Sequence, residues 1–173
     1  MQFYKQFNSN KMKYVKSTLM LLLAAALFNA CSVSKESRSM QKTINGDWIL
    51  QTITTEGITG VTRTRIFNEA EFSCFIGSEW NFINNNGMGS YTIVDKSSNC
   101  VPLKRLIRWT IYEPEGAAKE FQFKRLDDKK NAMDNGDGYR LTVTELDKTV
   151  MKLRSNIVFD GHAGAIIYNF VKK

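Results

Sequence analysis

With one histidine and two prolines in 173 residues, the chain lacks the materials for several functions. His162 sits in "DGHAG", a Gly-flanked turn that reads as exposed. A nucleophilic triad needs a base beside a Ser or Cys, and no spacing brings Ser90 or Ser155 to His162. His162 is likewise the only imidazole available to join the cysteines around a metal, so no metal site is expected. There is no phosphate-cradling glycine loop. The acidic pairs Glu113/Glu115 and Asp127/Asp128 fall in loops, where solvation accounts for them without general acid–base work. "DNGDG" lacks the alternate-position acids and closing glutamate of a calcium loop and reads as a turn. The expectation is a non-enzyme with no catalytic residue and no cofactor. Pro102 and Pro114 flank strand-like runs and interrupt none, so the low proline count suits a chain of strands.

Long hydrophobic runs are also missing. The ten apolar residues Leu19–Phe28 fall short of the about 20 needed to cross a bilayer as a helix. They match the apolar centre of a secretory signal. Lys13 and Lys16 precede them, and no acidic residue occurs before Glu36. "MKYVKSTLM" is already a compact signal start, so either Met1 or Met12 serves as initiator. Ala30-Cys31 then resembles a bacterial lipobox, which implies cleavage after residue 30 and acylation of Cys31 by chains such as palmitate. The alternative is an N-terminal helix with a buried free cysteine. Acyl chains anchor a domain firmly, each buried methylene adding about 0.8 kcal/mol. The expected organisation is a signal at 1–30, a lipidated cysteine with a flexible Ser-rich tether at 31–43, and one domain at 44–173. The location expected for it is the outer membrane, by lipid anchor, on the periplasmic face or the cell surface.

Processing removes Lys5, Lys11, Lys13 and Lys16, leaving 20 Lys and Arg against 17 Asp and Glu. A net +3 is no basis for nucleic-acid binding, which needs a concentrated basic stripe. "KRLIR" alternates charge with apolar residues and reads as the solvated face of a strand. Cys74 and Cys100 remain as an even pair in an exported chain and read as a disulfide, the alternative being two separate thiols.

The rest of the chain alternates with period two, as half-buried antiparallel strands do. Trp48 stands in "GDWILQTI". Trp80 and Phe82 share a face in "EWNFI", as do Tyr91 and Ile93 in "SYTIV". The same holds for Ile107, Trp109 and Ile111 in "LIRWTIY", and for Phe121 and Phe123 in "EFQFK". Tyr139, Leu141 and Val143 pair off in "YRLTVTE", and Ile166, Tyr168 and Phe170 in "AIIYNFV". With "VTRTRIF" and "TVMKLRSNIVF" this makes eight or nine strands. Turn-rich segments separate them, and only "FNEAEF" reads as helical. The fold class is all-β, a small barrel or sandwich.

Gly46-Asp47-Trp48 at the head of the first strand matches the G-x-W signature of lipocalins. A cysteine ahead of Trp80-x-Phe82, a Gly-containing hairpin and a second cysteine before "IRW" follow. With "YRLTVTELDKTVMKL" and "IIYNF", the mature chain resembles the bacterial lipocalin-like lipoproteins over nearly its whole length. The resemblance implies an up-and-down antiparallel barrel of about eight strands with Trp48 plugging one end. Arg154 is the candidate for the late arginine that packs across that Trp. The "TDY" motif of lipocalins is absent, and no ligand specificity is carried over.

Eight strands enclose an interior that side chains fill or that holds one small ligand. The candidate lining is Trp48, Trp80, Phe82, Tyr91, Ile93, Ile107, Trp109, Phe121, Phe123, Tyr139, Leu141, Tyr168 and Phe170, with hardly a charge. A guest there would be a small hydrophobic molecule. The alternative is that these rings fill the barrel, leaving a non-catalytic interaction or structural module of the cell envelope.

Overall fold

The computed structural model describes residues 34–58, 65–94 and 100–173. The expected signal at 1–30 and Cys31 lie outside the described residues. Lys35–Lys173 form one compact unit that contains the barrel, its helices and the disulfide.

Helix α1 (Lys35–Ile44) opens this unit. Strand β1 (Gly46–Glu56) follows, then two-residue strands β2 (Arg65–Ile66) and β3 (Ala70–Glu71) and a single turn of helix, α2 (Phe72–Phe75). The remaining strands are β4 (Glu79–Ile83), β5 (Met88–Ile93), β6 (Leu103–Tyr112), β7 (Glu120–Leu126), β8 (Tyr139–Leu146), β9 (Val150–Phe159) and β10 (His162–Lys172). Eight of them close a barrel in the order β1-β10-β9-β8-β7-β6-β5-β4, every pair antiparallel. Among the described residues, strands β2 and β3 pair only with each other, outside the barrel ladder. Closure leaves no unpaired edge in the barrel.

Alternation sets the two faces. Along β6, Ile107, Trp109 and Ile111 are buried while Arg108, Thr110 and Tyr112 are exposed. Register locks the turns as well: Trp109 N–H donates to Gly87 O at 2.7 Å, and a Cβ on Gly87 would stand 2.8 Å from Trp109 O. Gly87 has φ +63°, which glycine adopts without strain.

Three expectations change. Residues 35–43, read as flexible tether, form most of α1. The apolar stripe is short, Met40 and Ile44 with Ser37 a turn earlier. It suffices because Ile44 is wholly buried against the barrel. Glu36 in the first turn and Lys42 in the last complement the helix dipole. "FNEAEF" is not a helix: Phe67 and Asn68 take φ +50° and +49°, turning the chain into β3. Of "VTRTRIF", Arg65 and Ile66 are strand and 61–64 lie outside the described residues.

Candidate functional site

The barrel has two unlike ends. At the first, α1 covers the start of β1. Trp48 is fully buried there, and its indole Nε1 donates to Ile44 O at 2.6 Å. Lys172 lies over the indole, its Nζ 4.9 Å from the ring centroid, and donates to Thr43 O and Asn45 O at 2.8 Å each. It thus caps the carbonyl end of α1, where a cation is favoured. Arg154, the sequence candidate for this place, instead pairs with Glu56 at the other end of the barrel. Residue 154 sits midway along β9, opposite Ile167, whereas position 172 pairs directly with Trp48.

Inside, every lining candidate is buried except Tyr139, which is half-buried. The rings touch across the lumen from non-adjacent strands. Trp80 meets Phe123 at 5.9 Å and Phe170 at 5.5 Å, and Phe82 meets Phe121 at 5.4 Å between ring centroids. Sequence reasoning missed the ring at their centre. Phe67 enters from the β2–β3 turn and contacts Phe75, Trp80, Phe123, Tyr139 and Tyr168, with centroids 5.0–6.3 Å away. The turn is retained by packing, by Arg125 Nη1, which donates to Asn68 O at 3.4 Å, and by the residue two positions on.

That residue is Glu69, with its side chain 8% exposed. Glu69 Oε2 accepts hydrogen bonds from Tyr91 OH at 2.6 Å, Arg105 Nε at 2.8 Å and Arg125 Nη1 at 2.9 Å, and its Oε1 accepts one from Arg105 Nη2 at 3.0 Å. Arg125 is 4% exposed and also forks onto Asp134, Nε to Oδ2 at 2.8 Å and Nη2 to Oδ1 at 2.5 Å. Tyr139 OH donates to Asp134 Oδ2 at 3.2 Å. Burial works against a charge on Glu69, but the bonds from Arg105, Tyr91 and Arg125 outweigh it and hold its pKa down to about 2. Burial, helped by Glu69, pushes the Tyr91 phenol upward, and burial takes Tyr139 up to about 12. Asp134 is held low by the Arg125 bond, which in turn raises Arg125.

The two arginines correct the expectation of a lumen with hardly a charge. Arg105 stands two residues before Ile107 and Arg125 two after Phe123, so period two extended past the apolar residues would have placed both inward. "KRLIR" is therefore not one solvated face. Lys104 and Arg108 are exposed, and Arg105 turns in.

A closed eight-stranded antiparallel meander, with a helix and the first-strand Trp sealing one end, decides the fold. It is a lipocalin-like barrel. No family model and no curated protein sequence matches the chain. Among solved structures, a lipocalin-like protein from Bacteroides uniformis is similar at 14% identity, covering 76% of this chain and 99% of that one, with a TM-score of 0.42. A deswapped triple mutant of bovine odorant-binding protein is similar at 12% identity, covering 76% and 74%, with a TM-score of 0.40. The bovine protein in complex with a selenium-containing odorant is similar at 11%, covering 83% and 76%, with a TM-score of 0.40. Strand order and register in this chain itself, rather than these likenesses, establish the lipocalin-like fold.

Cys74 and Cys100 form the expected disulfide, with Cα atoms 5.4 Å apart. It ties α2, which follows the Phe67–Glu69 turn, to the segment leading into β6. His162 is exposed at the head of β10, just past the Asp160–Gly161 turn. A groove of about 550 Å³ lies on the outer wall among Arg108, Thr110, Gln122, Lys124 and Arg140.

Proposed function

We propose that the chain is a non-catalytic binding protein that takes a small apolar molecule into its lipocalin-like barrel. It would work as a lipoprotein of the outer membrane, anchored through Cys31. The anchor is supported by the apolar run that ends just before Cys31. One observation carries the binding reading. The centre of the aromatic lumen is occupied by Phe67, a side chain brought in from outside the barrel ladder. A guest that displaces it inherits contacts with Phe75, Trp80, Phe123, Tyr139 and Tyr168, and mouths of small barrels are common ligand sites.

The ring contacts across the lumen favour a second reading, a self-filled barrel that serves the cell envelope as an interaction or structural module. Native mass spectrometry separates the two. The chain from Ser32 onward, exported to the periplasm, should carry a discrete apolar adduct that organic extraction releases. Phe67→Ala should raise its occupancy. An adduct-free mass for both proteins would favour the self-filled module.

A further inference from the structure

We propose that Phe67 and Glu69 together stand in for the barrel's ligand, and that this ligand is a single-chain amphiphile with a carboxylate head. The proposal rests on the binding reading and names its chemistry. The two residues are an apolar group and a carboxylate on one short turn. The ring lies among five aromatic rings. The carboxylate is received by a ready-made set of donors, with Arg105 gripping both oxygens and Arg125 and Tyr91 adding one bond each. These three donors belong to barrel strands β5, β6 and β7, so they stay in place if the turn leaves.

Charge balance then selects the guest. The cluster holds two arginines against Glu69 and Asp134. Of the two arginines, Asp134 pairs with Arg125 and not with Arg105, so withdrawal of Glu69 leaves Arg105 without its carboxylate and the cluster with a net positive charge in a poorly hydrated place. An uncharged guest leaves that charge uncompensated, whereas a carboxylate restores both the balance and the paired hydrogen bonds. A cationic head is excluded by the same count. Glu69 competes with the guest from within the chain, which makes the site self-liganded at rest.

The test compares dodecanoate, 1-dodecanol and dodecyltrimethylammonium by calorimetric titration of the chain from Ser32 onward at neutral pH. Dodecanoate should bind at least tenfold more tightly than the alcohol, and the ammonium should not bind. Glu69→Gln removes the internal competitor and should raise dodecanoate affinity at least fivefold. Arg105→Gln should abolish the preference for dodecanoate over the alcohol. Thermal melts report whether each variant is folded, and the comparison of the three ligands on the unaltered chain depends on no variant. Equal affinity for dodecanoate and dodecanol would overturn the carboxylate assignment and leave apolar binding standing. Binding of none of the three, by this chain and by Phe67→Ala alike, would overturn both.

Discussion

Lys172 and Trp48 form a single closing device: one ammonium lies over the indole face and also caps α1 through Thr43 O and Asn45 O. Trp48 holds the same helix end from its own side of the contact, its Nε1 donating to Ile44 O. The arrangement replaces the arginine that the resemblance to lipocalins led one to seek at Arg154.

Lys172→Met keeps the apolar stem and removes the charge. Loss of the cap and of the cation–ring contact should cost about 1–2 kcal/mol. Arg154→Ala should stay within about 0.5 kcal/mol, since its pair with Glu56 is exposed. Urea unfolding of both variants checks the order, and a greater loss for Arg154→Ala would refute the assignment.

Glu69 predicts an acid-sensitive barrel. Its folded pKa of about 2 lies below that of an unfolded glutamate, so its stabilising contribution is full above about pH 4.5 and is lost as pH falls toward 2. The difference corresponds to roughly 3 kcal/mol. Asp134, also held low, acts in the same direction. Glu69→Gln should be less stable at pH 7, with a flatter stability curve between pH 4.5 and 2. Parallel curves for the two proteins over that window would show that Glu69 is not the group responsible.

Phe67 should be cheaper to remove than its neighbours in the lumen. A buried Phe→Ala change costs about 3–5 kcal/mol, which is the expectation for Phe123. At Phe67 the φ of +50° is itself strained, by about 1–3 kcal/mol, and glycine relieves it. Phe67→Gly should therefore cost about 2 kcal/mol, less than Phe123→Ala, once that relief is set against the lost ring contacts. Equal losses for Phe67→Gly and Phe123→Ala would make the ring an integral part of the core rather than a displaceable occupant.

The Cys74–Cys100 bridge closes a separation of 26 residues. Replacing both cysteines with serine should lower stability by about 3.5 kcal/mol on the chain-entropy model. The unaltered protein should weigh two hydrogens less than its reduced form by intact mass. A double variant with an unchanged denaturation midpoint would count against that contribution.

Gly89 on β5 is a packing requirement. A Cβ there would stand 2.5 Å from Asn81 O across the β4–β5 pair. The neighbour is backbone and cannot rotate away, so Gly89→Ala should cost about 2 kcal/mol or more. A variant as stable as the parent would mean that the two strands separate more easily than their register implies.

The sequence by itself determined the eight barrel strands and which of their apolar residues face inward, because the side-chain period of two is a local property of extended backbone. It also offered Cys74 and Cys100 as a pair, and the structure decides for the disulfide over two separate thiols. Other features depended on partners distant in the chain. Period two aims Arg105 and Arg125 inward, but the carboxylate that makes their burial tolerable comes from Glu69, which lies 36 and 56 residues away. The helix at Lys35–Ile44 has too short an apolar stripe to announce itself, and it is held by Trp48 and by Lys172, the latter at the far end of the chain. Phe67 reads as one more residue of a short helical segment until the barrel forms around it. Only closure of β1 onto β4 and β10 creates the space that its ring occupies.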